Sequence, residues 1–201
     1  MKNRRVVLTL VMLCIVIVAL VLLFVSNAPA TSSVETTCIT QETGCLQLPT
    51  IIGANLDGTS NTFPSAFTHP YQLVVMPFNR DQQTQVLDFV PLFQELSASR
   101  PDLGYYSLAA LPDLSAPIRL LVSAGMNAVV TDPLVREAAY IFYLEDQAAF
   151  LQALNLPNAE SIRVYVLDQM GNVLWQGSGS YTPELADQIR AAIETLPRIN
   201  S

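Results

Sequence analysis

Cys38 and Cys45 could do redox chemistry, and Gly44 lets the short loop between them close. Such a pair can be a local staple or a thiol-exchange centre. Exchange needs a stabilised thiolate, found at helix starts or in closely spaced pairs. Six residues separate these two and no helix start follows, so an oxidised staple is expected outside the cytoplasm. Cys14 lies in an apolar run and reads as filler. No cysteine follows position 45. The single histidine, His69, precedes Pro70 with no visible triad partner, and Glu145-Asp146 has helix-cap chemistry. Phosphate-loop, zinc-hydrolase, nucleophile-elbow and dinucleotide fingerprints are absent. No catalytic residue, metal ligand or cofactor is assigned. One polar run, Asn79-Arg80-Asp81-Gln82-Gln83, follows an apolar strand signal. Ligands of α/β sheets sit beyond the C-terminal ends of strands. Arg80, Gln82 and Gln83 are therefore the candidate binding residues, with Trp175 as an aromatic candidate.

The elements around them alternate. Tyr71–Phe78 is a continuous apolar run bounded by Pro70 and a polar loop, the pattern of a strand buried on both faces. Asp81 is expected to cap a helix whose inward face is Val86, Val90, Phe93 and Leu96, kinked by Pro91. Strands are predicted at Gly104–Leu111, Ala139–Leu144, Ile162–Leu167 and Asn172–Gln176. Helices are predicted over Ala116–Val130, after Asp146, and from Thr182. Alternation should put Tyr105 and Tyr106 on opposite sheet faces. Asp168 and Gly171 suit a hairpin turn, and Thr182 followed by Pro183 suits a helix start. The order β-α-β-α-β-α-β-β-α implies parallel pairing with an antiparallel edge, about five strands flanked by helices.

Charge and hydropathy set the expected address. Val6–Val25 is a 20-residue run without a charge, preceded by Lys2, Arg4 and Arg5 and followed by no basic residue until Arg80. That is the length of a bilayer-spanning helix, oriented with residues 1–5 in the cytoplasm and the remainder outside. Cleavage after Ala30 would give a secreted form instead. Residues 26–50, rich in Ser, Thr, Pro and Glu, read as a stalk, and residues 51–201 as the domain. The exported part keeps seven Arg against 17 acidic residues. This surface excludes nucleic acid and favours a basic or polar partner.

The apolar strand, the Pro-bearing helix and the run Val164-Tyr165-Val166-Leu167-Asp168-x-x-Gly171-x-Val173 before a final helix resemble the thioredoxin-like superfamily over about Leu48–Pro197. The strand and helix at 139–154, with Asn55-Leu56-Asp57-Gly58 and Phe63-Pro64, are similar to the peroxiredoxin branch. The closing segment from Trp175 to Glu184 also resembles a thioredoxin-like assembly factor of the mitochondrial ATP synthase. The resemblance implies a mixed α/β sheet and, normally, a Trp-Cys-x-x-Cys start to the Pro-bearing helix. Aligned on Pro91, the Trp position is Gln82 and the two Cys positions are Gln83 and Val86. The family's cis-Pro would fall near Ile162. Without sulfur there, the expected function is a membrane-anchored extracytoplasmic protein-binding or assembly module with an unknown protein or peptide partner. The alternative is a thiol-disulfide oxidoreductase or peroxiredoxin-like enzyme using Cys38 and Cys45 or a partner's thiols.

Overall fold

A computed structural model describes residues 38–41 and 44–199. The expected membrane span at 6–25 lies outside these residues. Among the described residues no helix is long and apolar enough to cross a membrane.

Two short strands, β1 (Thr40–Gln41) and β2 (Gly44–Cys45), pair as a small hairpin. The main elements follow as β3 (Ile51–Asn55), β4 (Ser60–Phe63), β5 (Tyr71–Met76), α1 (Gln83–Val86), a 3-10 turn (Leu87–Phe89) and α2 (Val90–Ser99). Then come β6 (Leu103–Pro112), α3 (Ala116–Val129), α4 (Pro133–Ala138), β7 (Ala139–Leu144) and α5 (Gln147–Ala153). The chain closes with β8 (Arg163–Asp168), β9 (Val173–Ser178) and α6 (Pro183–Glu194). The sheet order is β4-β3-β7-β6-β5-β8-β9. Pairs β5–β6 and β6–β7 are parallel; β5–β8, β8–β9, β3–β7 and β3–β4 are antiparallel.

All five expected strands are present, and the sheet has seven rather than about five. The two extra strands form the β3–β4 hairpin against β7. Their sequences, IIGAN and SNTF, are short and lack a continuous apolar run, so period-two reasoning passes over them. The connecting Asn55-Leu56-Asp57-Gly58 carries the turn chemistry: Asn55 Oδ1 accepts from the Asp57 and Thr59 amides, and Gly58 sits at φ +87°. Helix α4 was likewise not signalled.

Burial follows the pleat. Every β5 residue is buried. Tyr71, Leu73 and Val75 face a core built with α1, α2 and α6, while Val74 and Met76 face the opposite core with α5. Tyr105 stacks on Phe93 on one face. Tyr106 meets Phe63 and Phe67 on the other, as alternation requires. Phe63 packs edge-on against Phe67, Tyr106, Tyr140 and Phe142. Truncating such a side chain to Ala leaves a cavity and costs about 3–5 kcal/mol.

Two local expectations change. The helix after β5 is broken at Leu87–Phe89, and Pro91 falls in the first turn of α2, where its missing N–H has no intrahelical partner to lose. The stalk boundary at residue 50 is too late. Leu46 and Leu48 are buried in the core, and the Ile39, Leu46 and Leu48 backbones bond to Val173 and Gly171.

Candidate functional site

The polar loop Asn79–Gln83 does follow the C-terminal end of β5, and amides wire it shut. Phe78 is buried and needs partners for both of its backbone groups. Its N–H donates to Gln82 Oε1 at 2.7 Å, and its carbonyl accepts from Gln147 Nε2 at 3.2 Å. Gln147 Nε2 also donates to Ala110 O, tying β6 to the loop. Gln82 Nε2 donates to Ala159 O at 2.9 Å. The Gln82 backbone N–H donates to Asn79 Oδ1 at 3.1 Å, so Asn79 closes the turn ahead of α1, and the expected Asp81 cap is not made: the N-cap residue is Gln82, without a side-chain cap bond. Asn serves because its short side-chain oxygen reaches the amide three residues on.

This corrects the expectation for Gln82. It is 4% exposed with both ends of its amide engaged, so it builds the loop and offers nothing to a partner. Gln147 has the matching role and was missed, because a Gln at a helix start carries no distinctive sequence signal.

Arg80 and Gln83 remain available. The Gln83 N–H donates to Arg80 O, so the two residues form one turn, and both side chains line the same cleft. Thr84 and Leu87 continue this wall; Leu121, Val122 and Met126 of α3 form the other. The cleft holds about 170 Å³. Sites for whole small molecules run to ~300–1,000 Å³, so this one suits a single side chain. Gln83 Nε2 is shielded from solvent and has no partner. Among the described residues no carboxylate pairs with Arg80. Val86, at the second family Cys position, is buried in the core. Trp175 does not join the cleft. It is half-buried on β9, packed over Gly177 and against the core that contains Leu185.

The remaining candidates are structural. Asp146 Oδ1 accepts from the Ala149 N–H and caps α5. His69 Nδ1 lies 3.1 Å from Thr68 Oγ1, ahead of β5. Among the described residues no cluster of His, Cys, Asp or Glu could hold a metal ion. The most buried charge pair among the described residues does not line the cleft. Arg100 donates through Nε and Nη2 to the two Asp102 oxygens at 2.8 Å and through Nη1 to Ile193 O. The guanidinium holds the Asp102 carboxyl down at about 2.

Cys38 and Cys45 are joined by a disulfide, their Cα atoms 5.7 Å apart. Ile39 and Leu46 bond to Val173 beside the β8–β9 turn, and Asp168 at that turn pairs with Tyr71 at the start of β5. The loop Asn79–Gln83 lies past Met76, which pairs with Arg163 at the other end of β8. Five residues at ~3.3 Å each separate the two ends by roughly 17 Å.

No family model matches the sequence, and no curated protein matches it. Solved structures do. A member of the Sco family of cytochrome c oxidase assembly proteins is 15% identical, covering 76% of this chain and 96% of its own, with a TM-score of 0.51. A thiol:disulfide interchange protein from Bacteroides sp. is 11% identical over 73% and 88%, with a TM-score of 0.50. An uncharacterised conserved protein from Geobacillus kaustophilus is 16% identical over 78% and 85%, with a TM-score of 0.50. At these identities the likeness is one of fold: the domain has a thioredoxin-like α/β fold with a mixed sheet flanked by helices.

Proposed function

We propose that this chain is a membrane-anchored, extracytoplasmic thioredoxin-like module that binds a protein partner at the C-terminal end of β5 and performs no thiol chemistry there. One observation carries this reading. The two family cysteine positions hold Gln83 and Val86, and Gln82 and Gln147 brace the loop in front of them. An amide forms neither a disulfide nor a sulfenate, whereas it donates and accepts hydrogen bonds. The chain keeps a cleft at that position, lined by the Gln83 amide and the Arg80 guanidinium.

The disulfide argues against the alternative of an oxidoreductase centred on Cys38 and Cys45, because it sits at the opposite end of the sheet from the cleft. The β3–β4 hairpin ahead of the core supports the finer kinship with the peroxiredoxin branch. The resemblance to the ATP synthase assembly factor rests on the closing segment from Trp175 to Glu184, where Thr182 Oγ1 accepts from the Leu185 N–H at the start of α6. Anchoring rests on the uncharged Val6–Val25 and its basic flank.

The test is insulin reduction and peroxide turnover by the detergent-solubilised full-length protein. No turnover above buffer is expected. Turnover that survived Cys38→Ser with Cys45→Ser would refute the reading, and turnover lost with that pair would establish it as the redox centre. For the anchor, the protein should stay with membranes through carbonate extraction. A mature chain beginning at Thr31 would reject it.

A further inference from the structure

We propose that the cleft between α1 and α3 captures the free C-terminus of a partner polypeptide that ends in a bulky apolar residue. This rests on the partner-binding reading above and names the chemistry it would recognise. The pocket's floor is apolar, made by Leu87, Val122 and Met126, and its 170 Å³ accommodates one side chain of leucine size. Its mouth is not apolar. Gln83 Nε2 is screened from water yet meets no acceptor, an arrangement that is expensive unless a ligand supplies one. Arg80 stands on the same turn, exposed and without a carboxylate partner among the described residues. Two donors, one of them charged, therefore line the same one-residue pocket from one turn of chain.

A terminal carboxylate matches this arrangement. It places two acceptor oxygens one bond from the Cα that carries the apolar side chain, so one residue satisfies both donors and fills the pocket. An internal segment lacks that match, because its backbone carbonyl carries no charge for Arg80. The capture of chain termini by backbone and basic groups is a known recognition mode.

The local chemistry departs from the net charge. Residues 114–131, which contain α3, include no acidic side chain, and none lines the cleft, in a chain of net charge −7. Summed charge governs encounter, whereas contacts inside the cleft govern retention. The expected ligand thus has a neutral or basic body and carries its negative charge at the terminus. Leu121, 71% exposed at the rim, and Ile118 one turn earlier on α3 extend the apolar surface such a body would cover.

The experiment uses detergent-solubilised full-length protein and fluorescein-labelled hexapeptides of neutral or basic body ending in Leu, Phe or Gly. Each is made as the free acid and as the amide. The Leu and Phe acids should bind saturably, and amidation should weaken them about tenfold or more, the loss expected for a charge-assisted hydrogen bond. Arg80→Gln should abolish the difference between acid and amide. Gly125→Leu supplies a control that folds. A Cβ at Gly125 meets nothing within 4 Å, and the residue lines the cleft, so a leucine there fills the pocket from inside a helix it suits. That variant should keep or raise thermal stability and lose the peptides. Equal binding of acid and amide, binding that survives Gly125→Leu, or no saturable binding by any of the acids would overturn the proposal. Peptide binding that appears only when residues 1–37 are removed would assign the cleft to the chain's own N-terminal segment and overturn it as well. Absent peptide binding together with absent insulin turnover would reject terminal capture and leave the non-thiol reading standing. Insulin turnover would reject that reading independently.

Discussion

Replacing Gln82 by Leu separates a structural amide from a binding amide. Leucine keeps roughly the volume and loses Oε1 and Nε2. The Phe78 N–H would then be buried with no acceptor, and the Ala159 carbonyl would lose its donor. An orphaned buried group costs ~1–3 kcal/mol. Phe78 is fully enclosed and belongs at the upper end; Ala159 is partly exposed and belongs at the lower. The sum is about 2–4 kcal/mol, or roughly 5–15 °C in Tm for a domain of this size. Gln83→Leu is the companion. Its Nε2 has no partner to lose, so its change should stay within about 0.5 kcal/mol or be stabilising. Urea unfolding followed by Trp175, the single tryptophan, measures both. The m-value should not move. If Gln83→Leu destabilised more than Gln82→Leu, or both were silent, the division of labour argued for this loop would be wrong.

The Arg100–Asp102 pair makes a pH prediction. The Asp102 pKa falls on folding, from the ordinary carboxylate value to about 2, so its contribution is complete above that ordinary value and fades as pH drops toward 2. It amounts to about 2 kcal/mol, and Asp102→Asn should remove that stretch of acid sensitivity from the stability–pH curve. Gly171→Ala should cost ~1–3 kcal/mol, because Gly171 has φ +82° and its Cβ would stand 2.8 Å from the Pro64 Cβ; an unchanged urea midpoint would contradict this. Replacing Cys38 and Cys45 by Ser should cost about 2 kcal/mol through loop-closure entropy and leave a cooperative transition, checked by calorimetry. Failure to fold would make the pair part of the core.

The sequence pattern exposed the parts governed by period and by single-residue stereochemistry. The run Tyr71–Phe78 has no polar interruption except Gln72, and a central strand buried on both faces needs none. Thr182, Pro183, Asp146 and Gly171 signal their caps and turn through local geometry alone. The β3–β4 hairpin escaped because its strands are short and neither carries a continuous apolar run. Leu46 and Leu48 escaped because two buried residues in a Ser- and Thr-rich stretch make no period. At the site, the loop position was legible from Pro91 and from the end of β5. The assignment of roles within it was not. Gln82 and Gln83 are adjacent and identical in type, and only the distance to Phe78 and Ala159 decides which is consumed by the fold. The cleft's second wall comes from α3, some forty residues away in sequence, and no spacing within the loop announces it.

The disulfide also fixes how a mechanical load enters the domain. A pull applied N-terminal to Cys38 crosses the sulfur bridge directly to Cys45 and then reaches Leu46 and Leu48, which are held by the core and by the strand edge at Gly171 and Val173. The bridge carries the load past the segment between the two cysteines, in parallel with the Ile39–Val173 bond. Reduction would put that segment in series. Once Ile39 peels from Val173, the seven intervals from Cys38 to Cys45 could extend to ~24 Å at ~3.4 Å each instead of spanning 5.7 Å. In a chain tethered as proposed through residues 6–25, the bridge would set the length of the tether: short when oxidised, nearly 20 Å longer under load when reduced.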